Sequence, residues 1–170
     1  MKKKSTLFVC ILLVAMFITS TTAFATSTVH KEASTSTYVT VQVTNLATGA
    51  RTNESMKAGT WYLYATATYG GTNDSYPVSI GANDLYYNHT YISDGGYYRG
   101  NPTESTSSQT DAQGNKTSIT LNYKRPAGVR YAARASKTDA NVSPANYSYG
   151  PTDGSNKDIN LSFKITCYKK

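Results

Sequence analysis

Apolar and polar residues alternate with a period of two along most of this chain, the pattern of strands with one buried and one wet face. Val39, Val41 and Val43 alternate with Thr40, Gln42 and Thr44. Trp61, Leu63, Ala65, Ala67 and Tyr69 alternate with Tyr62, Tyr64, Thr66 and Thr68. Val78 and Ile80 mark a short strand, and Leu85 to Ile92 a tyrosine-rich one. Further alternation runs through Ile119, Leu121 and Tyr123, through Val129, Tyr131, Ala133 and Ala135, and through Ile159, Leu161, Phe163, Ile165 and Cys167. Gly-, Asn- and Asp-rich turns separate these runs, for example Gly70-Gly71, Asp94-Gly95-Gly96 and Gln113-Gly114-Asn115. No segment keeps a helical period. The expectation is an all-β fold, an antiparallel β-sandwich of about seven strands, because one polar face per strand suits two sheets packed through their apolar sides.

The first residues follow a different pattern. Lys2, Lys3 and Lys4 precede an uncharged run from Leu7 to Ile18, and Ala23-Phe24-Ala25 then offers a small-x-small site before Thr26. This is the layout of a secretory signal peptide, and the run is short for a membrane span. The sequence therefore predicts a signal peptide over 1–25, cleavage between Ala25 and Thr26, a flexible Ser/Thr-rich leader over 26–37 and one sandwich domain over 38–170. The protein is expected to be secreted or loosely held at the cell surface, with no membrane span in the mature chain.

Composition sharpens this picture. Loss of the three leading lysines takes the 17 basic residues to 14 against 10 acids, so the net charge falls from +7 to +4. That balance is too mild for a nucleic-acid partner, and favours anionic polymers outside the cell. Cys10 leaves with the signal, so no intrachain disulfide is expected. Cys167 sits in phase with the inward residues of the last strand and reads as a buried, unreactive thiol.

Catalytic groups are sparse. His30 and His89 are the two histidines, and they lack the neighbours of a zinc site or a recognisable triad motif. Nearly all of the acids sit in turn-like sequence, where Asp bonds its own backbone. The sequence predicts no enzyme, no cofactor and no metal.

Tyrosine is abundant, with 15 copies. A tyrosine ring stacks on sugars or apolar partners while its hydroxyl still hydrogen-bonds, and it also simply favours strands. Tyr62, Tyr64, Tyr86, Tyr97 and Tyr98, with Arg99, are the candidate binding residues. Arg130 and Arg134 join them from a basic cluster with Lys124, Arg125 and Lys137. That cluster either grips an anionic polymer or protects an edge strand against aggregation. The expected partner is an extracellular glycan, a cell-wall polymer or a protein.

Two short echoes add an alternative. Lys57-Ala58-Gly59-Thr60-Trp61, running into Ala65 and Ala67, resembles the small secreted β-sandwich bacteriocins of the lactococcin type. Ala127-Gly128-Val129, followed by Ala132, Ala133 and Ala135, shares the resemblance, with Arg130 where the tryptophan would stand. The resemblance covers two strands of a longer chain. It implies a released antibacterial protein acting on cell-wall assembly.

Overall fold

A computed structural model describes residues 26–131, 135–136, 147–150 and 155–170. The predicted signal peptide, Ala25 included, lies outside the described residues, as does Arg134. Nine strands are present among those described: β1 (Ser27–Asn45), β2 (Arg51–Gly70), β3 (Tyr76–His89), β4 (Gly95–Tyr98), β5 (Thr103–Thr110), β6 (Lys116–Tyr131), β7 (Ala135–Ser136), β8 (Tyr147–Gly150) and β9 (Ser155–Tyr168). All pairings are antiparallel. The expected all-β class is therefore what the chain adopts.

The strands form two sheets. Sheet A runs β3-β2-β1-β8-β7. In sheet B, β9 pairs with β6 from Ser118 to Tyr131. The opposite edge of β6 is shared end to end, with β5 against Lys116–Lys124 and β4 against Ala127–Arg130. The inward residues of both sheets enter one buried cluster: Val39, Val41 and Val43 of β1, Trp61 to Tyr69 of β2, Ile119 to Val129 of β6 and Leu161 to Cys167 of β9. Two sheets sharing one core in this way are compatible with a sandwich. Each large side chain taken fully out of water contributes about 1.5–3 kcal/mol, so this cluster is the main source of cohesion. Cys167 is buried within it, as its phase predicts.

Several strand limits differ from those read in the sequence, each for a physical reason. The leader over 26–37 is corrected: Ser27 to Thr37 are the first half of β1, paired residue by residue with Tyr69 to Gly59 of β2. Thr28, Val29, Thr35 and Thr37 are β-branched and suit a strand once a long partner offers its ladder. Only partial burial of their face kept the apolar signal weak.

The alternating runs that end at Tyr123 and begin at Val129 belong to one strand, since β6 runs through Pro126. The Arg99 amide donates to the Pro126 carbonyl, 3.0 Å. Backbone N and O of one residue in an antiparallel strand face the same edge. The missing N–H of Pro126 therefore faces the gap between β5 and β4, where no ladder bond is lost. In β3 an extra residue at Asn83 shifts the register opposite Tyr64 and Ala65, which joins two apparent strands into one bulged strand.

β4 and β5 escape a periodicity search altogether. Gly95-Gly96-Tyr97-Tyr98 is too short to show alternation. Thr103–Thr110 is polar throughout and exposed on both faces.

Candidate functional site

The structure sorts the predicted binding residues into two places. Tyr62, Tyr64 and Tyr86 share the outer face of sheet A. Tyr62 lies between Ser34 of β1 and Tyr86 of β3, and Tyr64 in the next row lies between Glu32 and Asp84. Even-numbered positions of β2 point outward here because Trp61, Leu63 and Ala65 fill the core. Tyr64 and Tyr86 are exposed, and Tyr62 is half-buried by its neighbours. Desolvation lifts the Tyr64 phenol above its ordinary pKa of 10.0, and Glu32, Tyr62, Tyr86 and Asp84 add to the shift in that order. The surface is thus an aromatic platform with an acidic flank.

Tyr97, Arg99 and Arg130 belong to sheet B. Tyr97 is opposite Gly128 on β6, which is in turn opposite Asp158 on β9. The Tyr97 ring lies across Gly128, where any side chain would collide with it. Its hydroxyl donates to Asp158 Oδ1 at 2.9 Å, and Arg99 forms an ion pair with the other oxygen of Asp158. Arg130 lies alongside, its guanidinium carbon 5.7 Å from the Tyr97 ring centre. Two of these residues are therefore already occupied by a carboxylate of the same chain. Arg130, exposed, is less committed.

Tyr98 points the other way, to the seam between the sheets. Its hydroxyl donates to the carbonyl of Leu85 on β3. Its ring stands 5.8 Å from Trp61 and carries the Arg125 guanidinium at 3.7 Å. Burial raises the Tyr98 pKa, and Arg125 opposes that rise. With Tyr98, Arg125 lines a cleft of about 260 Å³ together with Leu63, Leu85, Tyr123, Asp84 and Glu104. Sequence reasoning placed Arg125 in the basic cluster and missed the cleft, because its walls come from segments about twenty to sixty residues apart.

The basic cluster is divided as well. Lys124 and Arg130 share the outer face of sheet B, Arg125 turns to the seam, and Arg134 and Lys137 are outside the described residues. Edge protection does not account for Lys124 and Arg130, since β6 is paired along both of its edges. Sheet B also has a broad polar groove of about 510 Å³, lined by Ser107, Gln109, Thr120, Asn122, Lys164 and Thr166 among others. It gave no signal in the sequence beyond the ordinary polar half of each strand.

The chemical inventory is modest. His30 is within 3.3 Å of the Thr66 hydroxyl, and His89 is exposed at the end of β3. No group of three His, Cys, Asp or Glu residues that could hold a metal occurs among the described residues. No helix among them is long and apolar enough to cross a membrane.

These features define a class: an all-β protein of two antiparallel sheets, with an aromatic outer face on one and a hydroxyl-rich, basic outer face on the other. No family model, curated protein or solved structure matches the chain. The residues behind the lactococcin-type resemblance have packing roles here. Ala58 and Gly59 occupy the register shift where β2 turns past Tyr87, and Trp61 is fully buried against Tyr87 with ring centres 4.6 Å apart. The two echoes also point in opposite directions, because Arg130 faces solvent where Trp61 faces the core.

Proposed function

We propose that this chain is a secreted, non-catalytic binding protein that attaches to a glycan or wall polymer of the cell envelope through the outer face of sheet A. The observation that carries this reading is the set of Tyr62, Tyr64 and Tyr86 in two adjacent cross-strand rows on the outer face, Tyr64 and Tyr86 exposed and Tyr62 half-buried. Rings held by a sheet lose little freedom on binding, and their hydroxyls can bond to a sugar lying across them. Glu32 and Asp84 flank the platform and can accept hydrogen bonds from hydroxyls or amines.

Sedimentation with intact cells and isolated envelopes tests the reading. The purified protein is expected to co-sediment saturably, and the Tyr62→Ala/Tyr64→Ala/Tyr86→Ala variant to lose at least about tenfold in affinity, since each stacking contact removed costs roughly 1 kcal/mol. Undiminished binding by the triple variant sinks the proposal for this face. Export has its own check. Sequencing the N-terminus of protein recovered from the medium is expected to begin at Thr26, and retention inside the cell with Met1 in place refutes it.

A further inference from the structure

We infer that the cleft at the seam of the two sheets is a subsite for one sugar ring bearing a free amine. The inference rests on the glycan-binding reading above and gives it a substrate class. Leu63, Leu85 and Tyr123 close the base of the cleft and are buried, while Pro102 and the partly exposed Tyr98 ring supply its accessible apolar surface. That surface suits the C–H face of a pyranose. The polar groups stand at the rim: Asp84 and Asn83 from β3, Glu104 from β5, and Arg125 from β6. At about 260 Å³ the cleft is smaller than the roughly 300 Å³ at which pockets for drug-sized ligands begin, so it accommodates one ring and not two.

The charge arrangement selects the ligand. Arg125 is engaged by its own chain, stacked on Tyr98 and donating from Nε to the Gly100 carbonyl at 3.0 Å. Asp84 is fixed in place by the Leu85 amide, which donates to Oδ1 at 2.8 Å and leaves Oδ2 for a ligand. Glu104 approaches from the opposite sheet. Two carboxylates and one guanidinium line the cleft, and the guanidinium is stacked on an aromatic ring, so the lining carries a net negative charge. An ammonium group on the sugar is favoured there, whereas a uronic acid meets net repulsion. Asp84 also lies beside Tyr64 on the outer face, so a chain extending from the cleft continues over the tyrosine platform.

Trp61, the only tryptophan of the chain, packs behind Tyr98 and serves as the reporter. Its fluorescence is followed while glucosamine, N-acetylglucosamine and glucuronate are titrated in turn into the purified protein. The expected result is a saturable change with glucosamine, a weaker one with N-acetylglucosamine and none with glucuronate. Glu104→Gln and Asp84→Asn are each expected to weaken glucosamine about tenfold, as loss of a charge-assisted bond implies. Both positions are exposed, so the variants keep the fold, and circular dichroism verifies it. A response to glucuronate equal to that for glucosamine overturns the inference, as does a response that neither variant changes. Absence of any sugar response while envelopes still sediment in a tyrosine-dependent way overturns the cleft alone. Sugar binding without envelope binding overturns the earlier reading and leaves the cleft standing.

Discussion

The two outer faces of this molecule use the same residue types to opposite ends. On sheet A, Tyr62, Tyr64 and Tyr86 stand beside Glu32 and Asp84, with Tyr64 and Tyr86 exposed and Tyr62 half-buried. On sheet B, Tyr97 is laid over Gly128 and bonded to Asp158, which Arg99 neutralises. An exposed tyrosine thus has a binding role to offer only where the chain has not already used its ring and hydroxyl. The charge differs too. Sheet A is acidic around its rings, while sheet B presents Lys124, Lys164 and Arg130 among hydroxyls and amides. A partner drawn to one face is therefore a poor partner for the other.

Both faces rest on one core, and the largest expected effect tests that dependence. Trp61→Ala is expected to cost about 3–5 kcal/mol, the usual penalty for removing a large buried aromatic ring. Urea unfolding monitored by circular dichroism gives the value. A loss near 1 kcal/mol means that the sheets do not depend on this anchor. A smaller effect separates the faces themselves. Gly59→Ala puts a methyl group 2.5 Å from the Asn88 carbonyl oxygen and into the Tyr87 ring, where backbone must give way. About 1–3 kcal/mol is expected. Gly128→Ala meets only the outer end of the Tyr97 ring, a side chain free to swing off the surface, so under about 1 kcal/mol is expected. Equal costs at the two glycines mean that Tyr97 is held as firmly as the core ring.

Much of the fold was legible in the sequence, because burial imposes a period of two wherever one face is covered. Trp61, Leu63, Ile119, Leu121, Leu161 and Cys167 all face inward as their phase requires. The reading failed where that cause is absent. β5 is uncovered on both faces and shows no alternation, and the first half of β1 is only partly covered. That β6 runs unbroken through Pro126 was not legible, because the effect of a proline depends on which edge its nitrogen faces, and no local pattern records that. The outward direction of Tyr62 and Tyr64 was legible from their phase against Trp61. The commitment of Tyr97 to Asp158 was not, since the two are 61 positions apart and meet only through the register of three strands. The seam cleft was hidden for the same reason.

Alkaline pH acts on the core side of the tyrosines. Burial raises the Tyr87 and Tyr98 pKa values above 10.0, with the Ser93 bond partly opposing the shift at Tyr87 and Arg125 partly opposing it at Tyr98. A raised pKa means that the folded state keeps the proton longer than the unfolded chain. Stability from these rings is therefore complete below pH 10.0 and is lost as pH rises through the folded values. Urea midpoints measured from pH 8 upward are expected to hold steady and then fall beyond about pH 10. A midpoint independent of pH across that range contradicts the burial of these two hydroxyls.

The smallest expected effect bears most directly on the contrast between the faces. Arg99 and Asp158 are each more than half exposed, 52% and 55%, so their ion pair contributes about 1 kcal/mol or less. Asp158→Asn keeps an oxygen for the Tyr97 hydroxyl and removes only the charge. Stability is expected to change little, while Arg99 is released on the side of the molecule that already presents Arg130 and Lys124. Sedimentation with an anionic polymer such as polyglutamate is expected to rise at low salt and to return to the wild-type level at high salt, since exposed charges are screened there. Sheet A is expected to be indifferent, with the envelope affinity that depends on Tyr62, Tyr64 and Tyr86 unchanged. If Asp158→Asn instead alters that affinity, the two faces are coupled, and the tyrosines of sheet A do not act as an independent surface.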